Sequence, residues 1–184
     1  MSEYQYYEFC SLHSPLSIEA RKEMSSLSSR AQVTIHGASY VYNYGDFRGN
    51  PKELLLKYFD VFFYISNFGT VRLMFKYLDQ EVNVSQIKNY SIKHVLSYEK
   101  HGQHILLDIN INNEGGFGWT EGEGMLSDFL PLYEEIKTKD YQFLRLVSAI
   151  NDELAERGNN SLEILLADIQ LSPAQKALLN SVGI

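Results

Sequence analysis

Cysteine is nearly absent from this sequence. Cys10 is the only one in 184 residues, which excludes an internal disulfide framework and any zinc site built on several thiolates. Long hydrophobic runs are missing as well. The longest candidate, residues 61–65, is strand-sized, whereas a membrane-spanning helix needs about 18–20 apolar residues. Met1-Ser2-Glu3-Tyr4 offers neither a basic region nor an apolar stretch, so no secretory signal is expected and the chain reads as cytoplasmic, without a membrane partner. Basic charge is also short, with 16 Lys and Arg against 23 Asp and Glu for a net charge of −7. Binding nucleic acid requires clustered cations, and the densest basic stretch, residues 72–100, spreads five of them over 29 positions. No nucleic-acid partner is expected.

What is present points to a folded chain. Hydrophobic residues make up 45% and charged residues 21%, enough apolar side chain for a packed core. The charge is uneven: residues 1–100 balance at +1 and residues 101–184 at −8. The first 112 residues read as strands alternating with short helices. Strands are expected at 4–9, 31–36, 39–44, 61–66, 71–77, 94–98 and 104–111, and helices at 17–28, 51–58 and 85–90. Asn50-Pro51-Lys52-Glu53 is a strong helix start, with an Asn cap, Pro in the first turn and an acidic third position. Residues 61–66, apolar on both faces, read as a central strand. Residues 71–77 alternate Val71, Leu73, Phe75 and Tyr77 against Arg72, Met74 and Lys76, which predicts a strand buried on one side.

This order predicts an α+β fold, a mostly antiparallel sheet built from split βαβ-like (ferredoxin-like) units with helices on one face; a single continuous curved sheet is the alternative. Five of the twelve glycines then fall within residues 115–124, among Glu114, Glu121, Glu123 and the only Trp, Trp119. Beyond them the periodicity is helical, with helices expected at 126–137, at 139–157 ending on Gly158, after Asn160-x-x-Glu163, and after Ser172-Pro173. The organisation read from this is a sheet domain (1–112), a Gly/Glu-rich linker (113–124) and a C-terminal all-helical extension (125–184). The extension docks its apolar stripes on the sheet or on another copy.

Tyr44-Gly45-Asp46-Phe47-Arg48-Gly49, Tyr58-Phe59-Asp60, Asn67-Phe68-Gly69-Thr70-x-Arg72-Leu73-Met74 and Glu121-Gly122-Glu123-Gly124 stand in the order and spacing of similar blocks in a family of uncharacterised bacterial proteins. This resemblance covers most of residues 1–145. Phe68 and Met125 stand where that family usually has Trp, and each keeps an apolar group. The resemblance implies a bacterial, cytoplasmic protein and carries over no catalytic residue.

Several constellations are candidate sites. In the acidic glycine loop, carboxylates supply hard oxygen ligands for Mg²⁺ or Ca²⁺ and glycines allow close backbone approach. Asp108, Asn110, Glu121 and Glu123 form the candidate metal set, although residues 108–112 break the EF-hand pattern further on and also suit a plain strand followed by a linker. Asp46 and Arg48, between two glycines ahead of the helix at Pro51, suit an anion at a helix N-terminus, with Arg72, just past the Asn67-Phe68-Gly69 turn, as a residue to converge on it; Asn67 is counted with them among the candidate ligand-binding residues. A local Asp46–Arg48 pair is the simpler use. Trp119, Glu121 and Glu123 complete the candidate ligand-binding residues. His101-x-x-His104 straddles a tight turn and suits a shared metal poorly, and Cys10 with His13 lacks a third orienting group.

Tyr40, Tyr42 and Tyr44 alternate onto one face and Tyr4 with Tyr6 onto another, which suits core packing beneath the helical extension or a partly wet protein interface. Nothing specifies a reaction. The leading expectation is a non-enzymatic module that binds a protein partner or forms a homo-oligomer. A small-molecule or divalent-metal-dependent enzyme at the acidic loop, and an anion-binding regulator using Arg48 and Arg72, are the alternatives.

Overall fold

Period-two alternation in the first part of the chain becomes one sheet, and period-3.6 stripes in the last part become the helices that cover it. In chain order the elements are β1 (Gln5–Cys10), α1 (Ile18–Ser26), β2 (Gln32–Val33), β3 (Gly37–Tyr42), α2 (Pro51–Tyr58), β4 (Val61–Ser66), β5 (Thr70–Leu78), a 3₁₀ turn (Asp79–Glu81), α3 (Val84–Lys88), β6 (Leu96–His101) and β7 (His104–Asn112). Four helices follow: α4 (Met125–Lys137), α5 (Gln142–Leu154), α6 (Ser161–Asp168) and α7 (Pro173–Ser181). This computed structural model describes residues 3–113, 115–116, 121–155 and 160–184. Among them no helix is long and apolar enough to cross a membrane.

The seven strands form a single continuous sheet in the order β2-β3-β1-β4-β5-β7-β6, and every neighbouring pair is antiparallel. β3 and β4 therefore run the same way with β1 between them, joined through α2. β5 and β6 likewise run the same way with β7 between them, joined through α3. These are two split βαβ units, and their parent strands point in opposite directions. Two crossovers of the same hand on opposed strands must lie on opposite faces, and β-crossovers are almost always right-handed. Leu54 and Leu55 of α2 accordingly pack on one face with Phe62 and Met74, while Ile87 of α3 packs on the other with Leu73 and Phe75.

The face that α3 covers, the first face, carries the larger core. Val61, Phe63 and Ile65, Leu73, Phe75 and Tyr77, and Ile105, Leu107 and Ile109 meet α4 to α7 there. Phe129 lies 5.2 Å from Phe63, ring centre to ring centre, and Tyr133 stacks on Tyr77 at 4.6 Å. The stripe expected on the long helix is buried at Phe143, Val147 and Ile150. α7 is tied to α4 by Glu135, whose two carboxylate oxygens accept from Ser172 Oγ at 2.6 Å and Gln175 Nε2 at 2.7 Å. The extension thus docks on the sheet of its own chain.

The second face carries a smaller, aromatic core of Tyr7, Phe9, Tyr40, Phe59 and Phe62 under α1 and α2. Tyr40 is fully buried and donates its hydroxyl to Met24 O at 2.8 Å. Tyr6 is buried on the first face while Tyr44 is 78% exposed, so the two ladders are core at Tyr6 and Tyr40, half-buried at Tyr4 and Tyr42, and surface at Tyr44. α2 also buries the other side of β5: Met74 has no exposure, and Lys76 is covered enough to reach Leu55 O at 3.3 Å.

Helix starts follow the expected caps at Asn50, whose Oδ1 accepts from Lys52 N and Glu53 N, and at Ser172, which closes a capping box with Gln175. At Asn160 the expectation fails: its backbone is left-handed and its side chain makes no cap. α5 begins at Gln142 rather than 139 because Lys139 takes a positive φ of 66°, which ends the preceding helix instead of opening the next. The stop expected at Gly158 lies outside the described residues.

Two glycines lock the sheet to its surroundings. At Gly69, in the β4–β5 turn, φ is +98° and a Cβ would come within 2.0 Å of Asn113 O. Gly122 of the Glu-Gly-Glu-Gly block lies flat on the first face: a Cβ would sit 2.5 Å from Tyr6 Cδ1 and 2.7 Å from Ile65 Cγ2, and Gly122 N donates to Tyr4 Oη at 3.0 Å. The segment leading into α4 is therefore packed against β1 at Gly122. Gly122→Ala is expected to destabilise the protein by about 1–3 kcal/mol through overpacking, read as a lower midpoint in urea unfolding with an unchanged slope.

Candidate functional site

α2 shields the middle of the second face, but it starts only at Pro51. Beyond its N-terminal end the ends of β1, β4, β5 and β7 lie open. A groove of about 420 Å³ occupies this place. Its floor is aromatic, from Tyr7, Phe62 and Tyr64; its far side is a polar row of Thr70, Arg72, Asn110 and Asn112; its near wall is the turn carrying Asp46, Phe47 and Gly49.

A single buried amide holds floor and wall together. Gln5, 4% exposed, accepts from Tyr7 Oη at 2.7 Å and Tyr64 Oη at 2.9 Å on its Oε1. Its Nε2 donates to Gly45 O at 3.1 Å, anchoring the turn. Phe47 then stacks on Tyr7, ring centres 5.0 Å apart, and the Tyr64 ring lies 4.7 Å from Tyr7. Burial pushes the Tyr7 hydroxyl well above the usual phenol range and raises that of Tyr64. Both donate to Gln5 Oε1.

The charged end of the groove is neutralised from within. Arg72 donates to both oxygens of Asp108, Nε to Oδ1 at 2.8 Å and Nη2 to Oδ2 at 2.6 Å. Lys52 Nζ stands 3.6 Å from Asp108 Oδ2 and also bonds Glu99. The Asp108 carboxylate raises the Arg72 pKa against the opposing effect of burial, and Lys52, followed by His101, holds Glu99 below the usual carboxylate range. Beside Arg72 in the register lies Asn110, whose Oδ1 is buried and has no hydrogen-bond partner. Thr70 Oγ1 donates to Asn112 Oδ1 at 2.9 Å, so the neighbouring cross-strand pair is satisfied.

Of the residues singled out from sequence, the structure brings Asp46, Arg72 and Asn110 to this groove, with Asp108 bound to Arg72. Arg48 does not join them; it lines a separate hollow. The backbone N–H groups that an anion would have used at the start of α2 are spent on Asn50 Oδ1. Asn67 is used in the β4–β5 turn, its Oδ1 accepting from Tyr4 N at 2.9 Å. Trp119 lies outside the described residues.

The candidate metal set is divided. Glu121 and Glu123 stand on the first face, where burial raises the Tyr4 and Tyr6 phenols and the carboxylates add to it, both of them at Tyr4 and Glu123 at Tyr6, whereas Asp108 and Asn110 alternate onto the second face. Among the described residues no three His, Cys, Asp or Glu side chains are close enough to share a metal ion. His101 and His104 pair across the β6–β7 turn, and His101 Nε2 contacts Glu99. Burial, with Glu8 and Asp60, pushes the Cys10 thiol up and keeps it protonated, and His13 Nε2 meets Tyr133 Oη at 3.3 Å.

Gln5, Tyr7, Tyr64 and Phe47 were not among the candidates. Their sequence signal is the alternation of β1 and β4, which puts Gln5, Tyr7, Phe62 and Tyr64 on one face once the two strands are paired. Asp108→Asn would weaken a charge pair whose Arg72 side chain is 29% exposed and leave the guanidinium undercompensated. The expected cost is about 1–3 kcal/mol, measured by chemical denaturation, with Arg72→Met partly restoring stability in the Asp108→Asn background. No protein-family model, no curated protein and no solved structure matches the chain.

Proposed function

We propose that the chain is a non-enzymatic binding module of the bacterial cytoplasm. Its ligand is an uncharged polar molecule with a flat face, such as a sugar or a nitrogen heterocycle, held in the groove at the open end of the sheet. The observation that carries this reading is the buried, unpartnered Oδ1 of Asn110 beside an aromatic floor. Buried acceptors are nearly always satisfied, and leaving one unmade costs about 1–3 kcal/mol. A ligand N–H or O–H supplies the missing donor while its ring lies on Tyr64 and Phe62. An anion is disfavoured because Asp108 already neutralises Arg72 and the near wall carries the Asp46 carboxylate.

Thermal-shift and calorimetric titration with neutral saccharides and nucleosides test this. Asn110→Leu is expected to raise the stability of the free protein by about 1 kcal/mol, by removing the unmet acceptor, and to weaken binding by about tenfold or more. Tyr64→Ala is expected to weaken binding without the gain in stability. A panel in which nothing binds, or binding that is unchanged in Asn110→Leu, overturns the reading.

Self-association is a second reading, favoured by one observation. On α6, Ile164 is 60% and Leu166 39% exposed beside the buried Leu162 and Leu165. If this face pairs between copies, light scattering gives a mass well above 21.2 kDa that falls to the monomer value in Ile164→Glu. A monomeric parent protein contradicts it.

A further inference from the structure

The edge of the sheet next to β3 holds a second hollow. β2 pairs only Gln32 with Ser39 and Val33 with Ala38, so β3 has no paired outer strand beyond Ser39. The connection from α1 passes beside this bare edge, and the two enclose a hollow of about 430 Å³ whose lining includes Ser28, Ser29, Arg30, Tyr42, Tyr44 and Arg48. No Asp or Glu lines it.

The charge arrangement sets this place apart. In a chain of net charge −7, the cations Lys52, Lys57, Arg72, Lys76, Lys100 and Lys137 each have a carboxylate within 4.0 Å. Arg30 and Arg48 have none among the described residues, as is also true of Arg21, Lys22, Lys88, Lys93, Lys139, Arg145 and Lys176; what distinguishes Arg30 and Arg48 is that both line one cavity free of carboxylates. Two like charges lining the same cavity repel, and an oxyanion between them turns that repulsion into attraction. Neutral donors accompany them. Ser28 Oγ accepts from Arg30 N at 3.2 Å, which leaves its own proton to give. The Tyr42 hydroxyl is buried and has no partner. The negative end of α1 is also muted, since Met24 O accepts from Tyr40 Oη and Leu27 N, and Glu23 O from Ser26 Oγ.

We propose that this hollow binds the phosphate-monoester group of a small phosphorylated molecule. Arg30 and Arg48 donate charge-assisted hydrogen bonds to the phosphoryl oxygens, with the Ser28 and Tyr42 hydroxyls as further donors. The Tyr44 ring, 78% exposed, stacks on the rest of the ligand. The hollow shares no lining residue with the groove of Tyr64 and Asn110, so either site can fail without the other.

Isothermal titration of the full chain with inorganic phosphate, glucose 6-phosphate and AMP, at low and high salt, is the test. All three probes are expected to bind, more weakly as salt rises. Arg30→Ala and Arg48→Ala are each expected to weaken binding by about tenfold, with unchanged thermal midpoints because both side chains are exposed. Arg48→Lys, which keeps the charge and loses the fork, is expected to weaken it less. Tyr44→Ala lowers affinity for AMP more than for inorganic phosphate, and Asn110→Leu leaves phosphate binding unchanged. Absence of binding by every probe, or equal affinity in the arginine variants and the parent, overturns the proposal.

Discussion

The constraint on which the rest of the structure depends is the antiparallel pairing of every strand around two inserted ones, β1 and β7. With β1 between β3 and β4, and β7 between β5 and β6, the two crossover connections start from strands that point in opposite directions. A common hand then sends α2 to one face and α3 to the other. The long helical extension occupies the face that α3 shares, and it buries that face almost entirely. The face left to α1 and α2 receives only short helices. Its middle is covered by Leu54 and Leu55, and its end, beyond Pro51, stays open. The groove is a consequence of topology before it is a consequence of chemistry.

The side chains at that open end show how the protein keeps it ordered without covering it. Gln5 accepts from two tyrosine hydroxyls and donates to the Gly45 carbonyl, so the floor and the wall share one rigid amide. Arg72, Asp108, Lys52 and Glu99 form a chain of alternating charge, which lets charged groups sit on a half-buried strand face without an unpaired member. Among the described residues, buried side-chain atoms without a hydrogen-bond partner occur at Arg21, Tyr42, Asn110, Tyr141 and Asn151; Asn110 is the one on the groove, and Tyr42 the one on the hollow that Arg30 and Arg48 line. Unmet hydrogen-bonding capacity that also faces a groove is what the proposed ligands would satisfy.

Much of this fold was legible in the sequence, for identifiable reasons. The capped start at Asn50-Pro51, the doubly apolar strand at Val61–Ser66 and the alternation of β5 depend on local pattern, and each corresponds to an element of the structure. So does the pair of split βαβ units, because chain order alone fixes which strands a short helix can connect. What local pattern could not supply was pairing. The expected link between Arg48 and Arg72 across a loop of two glycines gave way to Arg72 with Asp108 and Arg48 beside Arg30, since those neighbours come from strand register and from the α1–β2 connection. The Glu-Gly-Glu-Gly block read as a flexible ligand loop because glycine spacing carries no sign of what lies beneath it. Beneath Gly122 lies the Tyr6 ring, and only the folded sheet shows it.

The central claim is that the open end of the sheet is a binding groove completed by a donor to Asn110. Side-chain amide spectroscopy of the ¹⁵N-labelled chain, titrated with the saccharide and nucleoside panel, tests it most directly. The account predicts that the Asn110 amide and the Arg72 Nε–H shift together and saturate with one of these compounds, while signals from α6 stay in place. Saturable binding that moves α6 or the first face and leaves Asn110 and Arg72 unshifted would contradict it.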